Sequence, residues 1–437
     1  MKLVEVFDGN KLHSTYNKDD LKHTHGEARC SFFGINEKGG DIAVPLDMDL
    51  LSKHIMLAGG IGTGKTNAFM QIISQLRNTM NNKDDMMIIF DTKGDFRNAF
   101  YKQGDIVISN DNKATGANGV DYWNIFNEIE ADEHMEANIV EISKSLFSQR
   151  LEKTNQPFFP NAAKDLFGAI LTHFIRNKDT MQGDNENLRA FLDKSPTADI
   201  REMLGKHDDM RAMVSYIADD RSPQTAGVMS ELYQMAKEIL LGNFKKKGTL
   251  SIRDLVRNKG GKVIFIEYDI SIGSVLTPIY SLMFDLAIKE ALCRKEGERG
   301  NVYFITDEFR LLPNLNHIDD AVNFGRSLGV KFMIGIQNIE QIYECYGEHR
   351  ANSIVSGFLT SVAFRVNDTP TRQFIKDRYG QNRKKEIYSA TVGGGALDSV
   401  RDAQVVEDWD INNLGIGEAI IGLPDKEPFK FQFKKYE

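Results

Sequence analysis

Only three cysteines occur in 437 residues, Cys30, Cys293 and Cys345. They are far apart, and none forms a Cys-x-x-Cys pair. That excludes a disulfide framework and a zinc ribbon and favours a reducing compartment. Proline is scarce, at 10 residues, and the 36 glycines fall well below collagenous or low-complexity content. No apolar run approaches the roughly 18–20 residues that span a bilayer. The longest, at 86–90 and 263–266, are strand-sized, and 275–288 is broken by Thr277, Pro278, Ser281 and Asp285. The opening Met1-Lys2-Leu3-Val4-Glu5 has no signal-peptide hydrophobic region. The chain as given is therefore expected in the cytoplasm. A basic coat is absent too: 54 Lys and Arg against 62 Asp and Glu leave a net charge of −8. A globally cationic nucleic-acid sleeve is excluded, whereas a local basic channel is not, because potential depends on placement as well as sum. The nine histidines show no His-Glu-x-x-His or other metal spacing.

With 41% hydrophobic and 27% charged residues, the chain reads as globular. Its length suits roughly two to three domains with cores that need no staple. Apolar runs rich in β-branched residues at 54–58, 86–90, 262–267, 302–306, 330–336 and 361–365 read as strands covered on both faces. Helical periods lie between them, as at Val275, Leu276, Ile279, Tyr280, Met283, Phe284, Ala287 and Ile288. Asp368-Thr369-Pro370 opens another helix, with a capping residue followed by proline in the first turn. The alternation predicts an α/β fold with a mainly parallel sheet. Residues 128–248 break it. There helical periods dominate (Ala163, Leu166, Phe167, Ile170, Leu171, Phe174) and no strand is evident. The expected organisation is 1–127 and 249–437 as two parts of one nucleotide-binding domain, with 128–248 as an inserted all-α domain.

The strongest chemical signal is Gly59-Gly60-Ile61-Gly62-Thr63-Gly64-Lys65-Thr66, between an apolar strand and the amphipathic Phe69, Ile72, Ile73 and Leu76. It fits the phosphate-binding loop G-x-x-x-x-G-K-[ST]. Glycines let main-chain amides curl toward phosphate oxygens, the helix N-terminus adds a positive dipole end, and the nucleotide-binding stretch is expected to run from Gly59 to Asn67. Lys65 is expected to bridge the β- and γ-phosphates of ATP, and Thr66 to hold Mg²⁺. A second carboxylate is needed at a strand end. Two strands end in aspartate: 302–306 runs into Asp307-Glu308, and 86–90 into Asp91-Thr92-Lys93-Gly94-Asp95. Asp307 is favoured for the metal, because its neighbour Glu308 can serve as general base, a group the rival lacks. Gln337, at the tip of 330–336, points toward the ligand crevice of a parallel sheet. Arg326 is a candidate arginine finger reaching a neighbouring subunit. The basic residues Arg372, Lys376, Arg378, Arg383, Lys384 and Lys385 around Tyr379, and Lys245-Lys246-Lys247, read first as solvated charged faces and second as phosphate contacts. Gly393-Gly394-Gly395 reads as a flexible loop.

These pieces in this order resemble the type IV secretion coupling proteins, the conjugative-transfer ATPases of the TraG/TraD group. The likeness runs from about 34 to 435. It rests on the glycine loop, Asp91-Thr92-Lys93-Gly94-Asp95, Trp123-Asn124-Ile125-Phe126, Phe158-Phe159-Pro160-Asn161-Ala162-Ala163, Asp307-Glu308-Phe309, Gly325-Arg326-Ser327-Leu328-Gly329-Val330 and Gly335-Ile336-Gln337-Asn338. The resemblance implies a RecA-like P-loop NTPase domain and hexameric rings with a channel for DNA. It also implies that the helical insertion recognises substrate, with relaxase, relaxase-bound or single-stranded DNA, and secretion-channel proteins as partners. In the same way it implies that Lys65 and Thr66 handle phosphate and magnesium, that Asp307 and Glu308 form the second acidic motif, that Gln337 is the strand-tip glutamine, and that Arg326 reaches a neighbour's nucleotide. Most members carry N-terminal membrane helices, which this sequence does not display, and Asp95 stands where glutamate is usual. The expected place is the cytoplasmic face of the inner membrane. Two other readings stand beside it: an FtsK/HerA-like DNA translocase unconnected with secretion, and an ATP-switched recruitment adaptor.

Overall fold

The computed structural model describes residues 2–16, 26–110, 121–129, 133–389 and 396–437. Gly393-Gly394-Gly395 lies outside them. The described chain divides into two compact units. One comprises Met1–Asp85, Glu296–Arg310 and Asp319–Glu437; the other comprises Met86–Lys295 and Leu311–Ile318.

The first unit is built on strands in the spatial order Asp41–Leu46, Cys30–Ile35, Phe429–Phe433, Glu418–Gly422, Thr360–Phe364, Ile55–Ala58, Val330–Ile336 and Val302–Thr306. The last four run parallel, with Ala58 opposite Ala363 and Ile336, and Ile334 opposite Thr306. All four are buried along their whole length, which is why they appear in the sequence as unbroken apolar runs. The flanking strands pair antiparallel. Two of them alternate buried and less buried residues, as in Phe429–Phe433 and Cys30–Ile35. A separate three-stranded sheet joins Lys2–Asp8, Gln381–Ser389 and Ala396–Gln404. The basic residues around Tyr379 are mostly absorbed by this part of the fold. Arg372 and Lys376 pair with Asp408, Lys384 pairs with Glu407, and Arg378 donates to the Val355 carbonyl.

The second unit holds three parallel strands, Met86–Asp91, Val263–Glu267 and Ile106–Ile108. It also holds the helices Met135–Lys153, Phe158–Arg176, Asn185–Lys194, Thr197–Gly205 and Pro223–Ile239. Among the described residues no strand lies within 128–248. The chain enters and leaves this helical stretch through one buried polar knot. Glu128, fully enclosed, accepts from the Trp123 indole (2.7 Å), the Ile252 amide (2.6 Å), the Ser251 hydroxyl and the Arg253 amide (both 3.2 Å). Asn185 stitches the same place, donating to the Trp123 and Phe244 carbonyls and accepting from Ile125. Burial pushes the Glu128 carboxyl up, and these donors pull it back. Glu128→Ala leaves four buried donors unanswered, so it is expected to destabilise the unit by about 3–5 kcal/mol. Urea titration checks this, and a variant within about 0.5 kcal/mol of the parent would show that water or rearrangement replaces the knot.

A second cluster fixes the Leu311–Ile318 segment. His317 Nε2 lies 2.6 Å from Glu141, the His317 amide donates to Asp285 (2.9 Å), Asn316 donates to the same carboxylate (3.0 Å), and Lys289 pairs with Glu141. Glu141, Asp285 and His317 bring ligand atoms within 4.8 Å of one another. Lys289 already supplies a cation there, so the cluster reads as an ion-pair network. Burial alone would depress His317, but the bond to Glu141 and the nearby carboxylates outweigh it, and its pKa is raised. Glu141 is lifted by burial and lowered further by His317 and Lys289, so its net shift is downward. The stability from His317 is therefore full below its unfolded value of about 6.5 and lost as pH rises through its folded pKa. That from Glu141 is full above the ordinary glutamate range and lost as pH falls through its own. Unfolding midpoints measured at about pH 6 and pH 8 should differ more in the parent than in His317→Gln. Equal differences would refute the assignment.

Candidate nucleotide site

In the first unit, the strand Ile55–Ala58 ends in the glycine loop, and the helix Lys65–Thr79 begins directly after it. Gly62 and Gly64 have φ of +73° and +122°, which side-chain-bearing residues adopt only under strain. A Cβ on Gly59 would lie 2.6 Å from Phe364 Cβ and 2.8 Å from Thr63 Oγ1. The loop is held open by the Gly59 amide on the Ile336 carbonyl (3.1 Å), the Gly60 amide on Arg365 (2.9 Å) and the Gly417 amide on Thr63 (2.9 Å). Lys65, mostly buried, donates to the carbonyls of Gly59 and of Gly60, the latter at 3.0 Å. Gly64 has no side chain to cap the helix, and the first turn carries no acidic residue. The amides of that turn and their dipole are thus left for an anion. Ile61 is 83% exposed at the loop tip. The Asn67 side chain ties the helix start to the C-terminal segment, donating to Lys434 (3.0 Å) and accepting from the Tyr436 amide (2.7 Å).

The acidic pair sits at the same strand edge. Val302–Thr306 runs parallel to Val330–Ile336, which runs parallel to Ile55–Ala58, so Asp307 and Glu308 leave the sheet where the loop does. Contacts link the two directly: Gly59 bonds Ile336, the next residue is Gln337, and Gln337 Nε2 donates to Glu308 Oε2. Glu308 Oε1 accepts from Arg310 Nε at 2.9 Å. Asp307 is partly buried and Glu308 is 8% exposed. Gly335 has a definite purpose here: a Cβ on it would collide with the main chain of Asp307. Glycine lets the neighbouring strand lie against the turn that carries the carboxylates.

Asp91 is differently employed. In the second unit its carboxylate accepts the Arg97 amide (2.8 Å) and the Lys93 amide (3.4 Å), fixing the turn before the helix Asp95–Phe100. Burial raises its pKa. Arg326 stands apart from the loop. It lies in the turn before Val330–Ile336, at the opposite end of a seven-residue strand from Gln337, roughly 20 Å away. Arg326 is paired with Asp49, which also meets Lys53 at 3.0 Å, and the hydrogen bond from Lys53 and the charges of both cations hold Asp49 below the usual carboxylate range. Arg310 and Gly335 belong to the site without a motif that announces them. The first sits two residues beyond Glu308, and the second is a glycine inside an apolar strand, a spacing signal for close main-chain approach.

The donor set fits a nucleoside triphosphate with magnesium: an amide cradle that tolerates no Cβ at Gly59, a lysine inside it, the Thr66 hydroxyl and a carboxylate pair two strands away. A family model described as the type IV secretion-system coupling protein DNA-binding domain matches residues 41–430. Coupling protein TraD of Escherichia coli (strain K12) is 24% identical over 407 residues, 88% of this chain and 51% of TraD. The unbound conjugative coupling protein TrwBdeltaN70 superimposes with a TM-score of 0.77 at 19% identity, covering 98% of this chain and 95% of that one. Plasmid coupling protein TrwB in complex with ADP and Mg²⁺ gives 0.75 at 18% identity, covering 99% and 95%. The chain spans about half the length of the curated relatives TraD and VirD4. The fold is therefore the one these coupling-protein structures share, with helical regions beside a mostly parallel sheet.

Proposed function

The chain belongs to the family of type IV secretion-system coupling protein DNA-binding domains, and from that premise we propose that it is an ATP-hydrolysing motor that recruits DNA or a relaxase–DNA complex and drives it into a conjugative secretion channel. The observation that carries the reading is the unbroken path from the glycine loop through Ile336 and Gln337 to Glu308. A phosphate cradle alone binds nucleotide; a cradle with a carboxylate held two strands away, across Val330–Ile336, can also activate water.

The residues take these parts. The loop amides and Lys65 bind the β- and γ-phosphates and compensate their charge. Thr66 and Asp307 would hold Mg²⁺. Held there, the ion would supply positive charge against the charge that develops on the phosphates. Glu308 accepts the proton of the attacking water, and Gln337 at the strand tip reads the γ-phosphate. Arg326 cannot serve its own chain's loop from the far end of the strand, so it acts on a neighbour's nucleotide in a homo-hexameric ring. The helical stretch 128–248 recognises substrate, and 1–127 with 249–437 form the nucleotide-binding domain. The motor works at the cytoplasmic face of the inner membrane, beside the channel proteins. Within the described residues no helix is long and apolar enough to cross a membrane.

ATPase rate measured against protein concentration, with and without single- and double-stranded DNA, tests this. Strong stimulation and a steep concentration dependence that disappears in Arg326→Ala are expected. A flat response would instead make the chain an ATP-switched adaptor. Stimulation by DNA without any binding of relaxase would favour a translocase unconnected with secretion.

A further inference from the structure

Glu308 is the general base of the proposed hydrolysis, and the inference that follows rests on that reading. To take a proton from water, a carboxylate must turn an oxygen toward it. Here both oxygens face donors of the same chain: Oε1 holds the Arg310 guanidinium at 2.9 Å, and Oε2 holds the Gln337 amide. The carboxylate is nearly enclosed, whereas Arg310 is 42% exposed. The two partners thus differ in kind. Gln337 is set at a strand tip beside the loop. Arg310 reaches back from a short turn whose main chain is fixed independently of its side chain: Phe309 is buried and stacks on Tyr346 at 5.6 Å, and the Arg310 carbonyl accepts from Cys345. The guanidinium can swing to solvent without loosening the turn, and a charge-assisted bond at a half-exposed site is reversible.

We infer that Arg310 is a positioning residue that parks Glu308 away from the attacking water, so that release of the Arg310–Glu308 pair is a step in switching hydrolysis on. Gln337 makes the release cooperative with nucleotide, because a Gln337 amide that turns to a γ-phosphate gives up its bond to Glu308, leaving Arg310 as the carboxylate's remaining partner of the two.

The test is steady-state hydrolysis by the full chain with ATP and Mg²⁺ and without nucleic acid. Arg310→Ala should raise kcat about three- to tenfold and leave KM within about twofold, because the phosphates are bound elsewhere. Arg310→Lys, which keeps a charged donor but not the planar fork, should return kcat toward the parent value. In a Glu308→Gln background, Arg310→Ala should change nothing. Arg310→Gln, of similar length and neutral, is the second variant and should show the same rise should the alanine protein fold poorly. An unchanged or lower kcat in well-folded Arg310→Ala or Arg310→Gln overturns the inference while leaving the ATPase reading intact. An unmodified chain that hydrolyses no ATP removes the ATPase reading, and this inference with it.

Discussion

Replacing Lys65 with alanine is expected to reduce ATP turnover to background, a loss of at least about 10³-fold. Lys65 is the cation inside the glycine loop, and its ammonium already lies on the loop's own carbonyls. A triphosphate brings several negative charges into that cradle, and the amides around it are neutral dipoles. Without the ammonium, the charge that builds on the β- and γ-phosphate oxygens has no monopole from the loop to meet it. The shape of the loop should survive, because the bonds that hold it open come from the amides of Gly59, Gly60 and Gly417 and not from Lys65. Thermal unfolding within a few degrees of the parent, with phosphate release lost, is the expected pair of results. Undiminished turnover in a folded Lys65→Ala protein would refute the assignment of the loop as the phosphate site.

The sequence made parts of this arrangement legible and hid others for physical reasons. Strands buried on both faces must be apolar throughout, so Val302–Thr306 and Val330–Ile336 appear with their full lengths, and Thr360–Phe364 appears one residue out of place. Two carboxylates directly after such a run are conspicuous, so Asp307 and Glu308 stand out at a strand end. The antiparallel flank leaves a weaker trace. Its strands keep one face less buried, so polar residues interrupt them, as Lys430 and Gln432 do in Phe429–Phe433. Gly34 further lowers the strand signal in Cys30–Ile35, although a Cβ there would strike Phe431 and Gln432. The strand Gln381–Ser389 looked like a solvated basic stretch because its charges find partners only after folding: Lys384 meets Glu407, and Arg401 from the next strand meets Glu386. Contacts between distant positions leave no local pattern at all. Nothing in the chain announces that Glu308 will meet Gln337, 29 residues on, or that Glu141 will meet His317 across 176 residues.

Glu308→Gln should separate binding from chemistry. The amide is close to isosteric with the carboxylate, and it still offers one oxygen to Gln337 or to Arg310. The partner left without an acceptor is most readily Arg310, which is 42% exposed and can turn to water. The variant should therefore fold with a loss of no more than about 1 kcal/mol. Nucleotide affinity should stay within about threefold of the parent, because the loop, Lys65, Thr66 and Asp307 are untouched. Hydrolysis should fall about 10²- to 10⁴-fold, the usual contribution of a positioned general base. The same geometry makes the alternative outcome informative. If binding and turnover fall together, the carboxylate holds the nucleotide or its metal and is not the base, and Gln337 on the path from the loop can then orient the water but cannot take its proton.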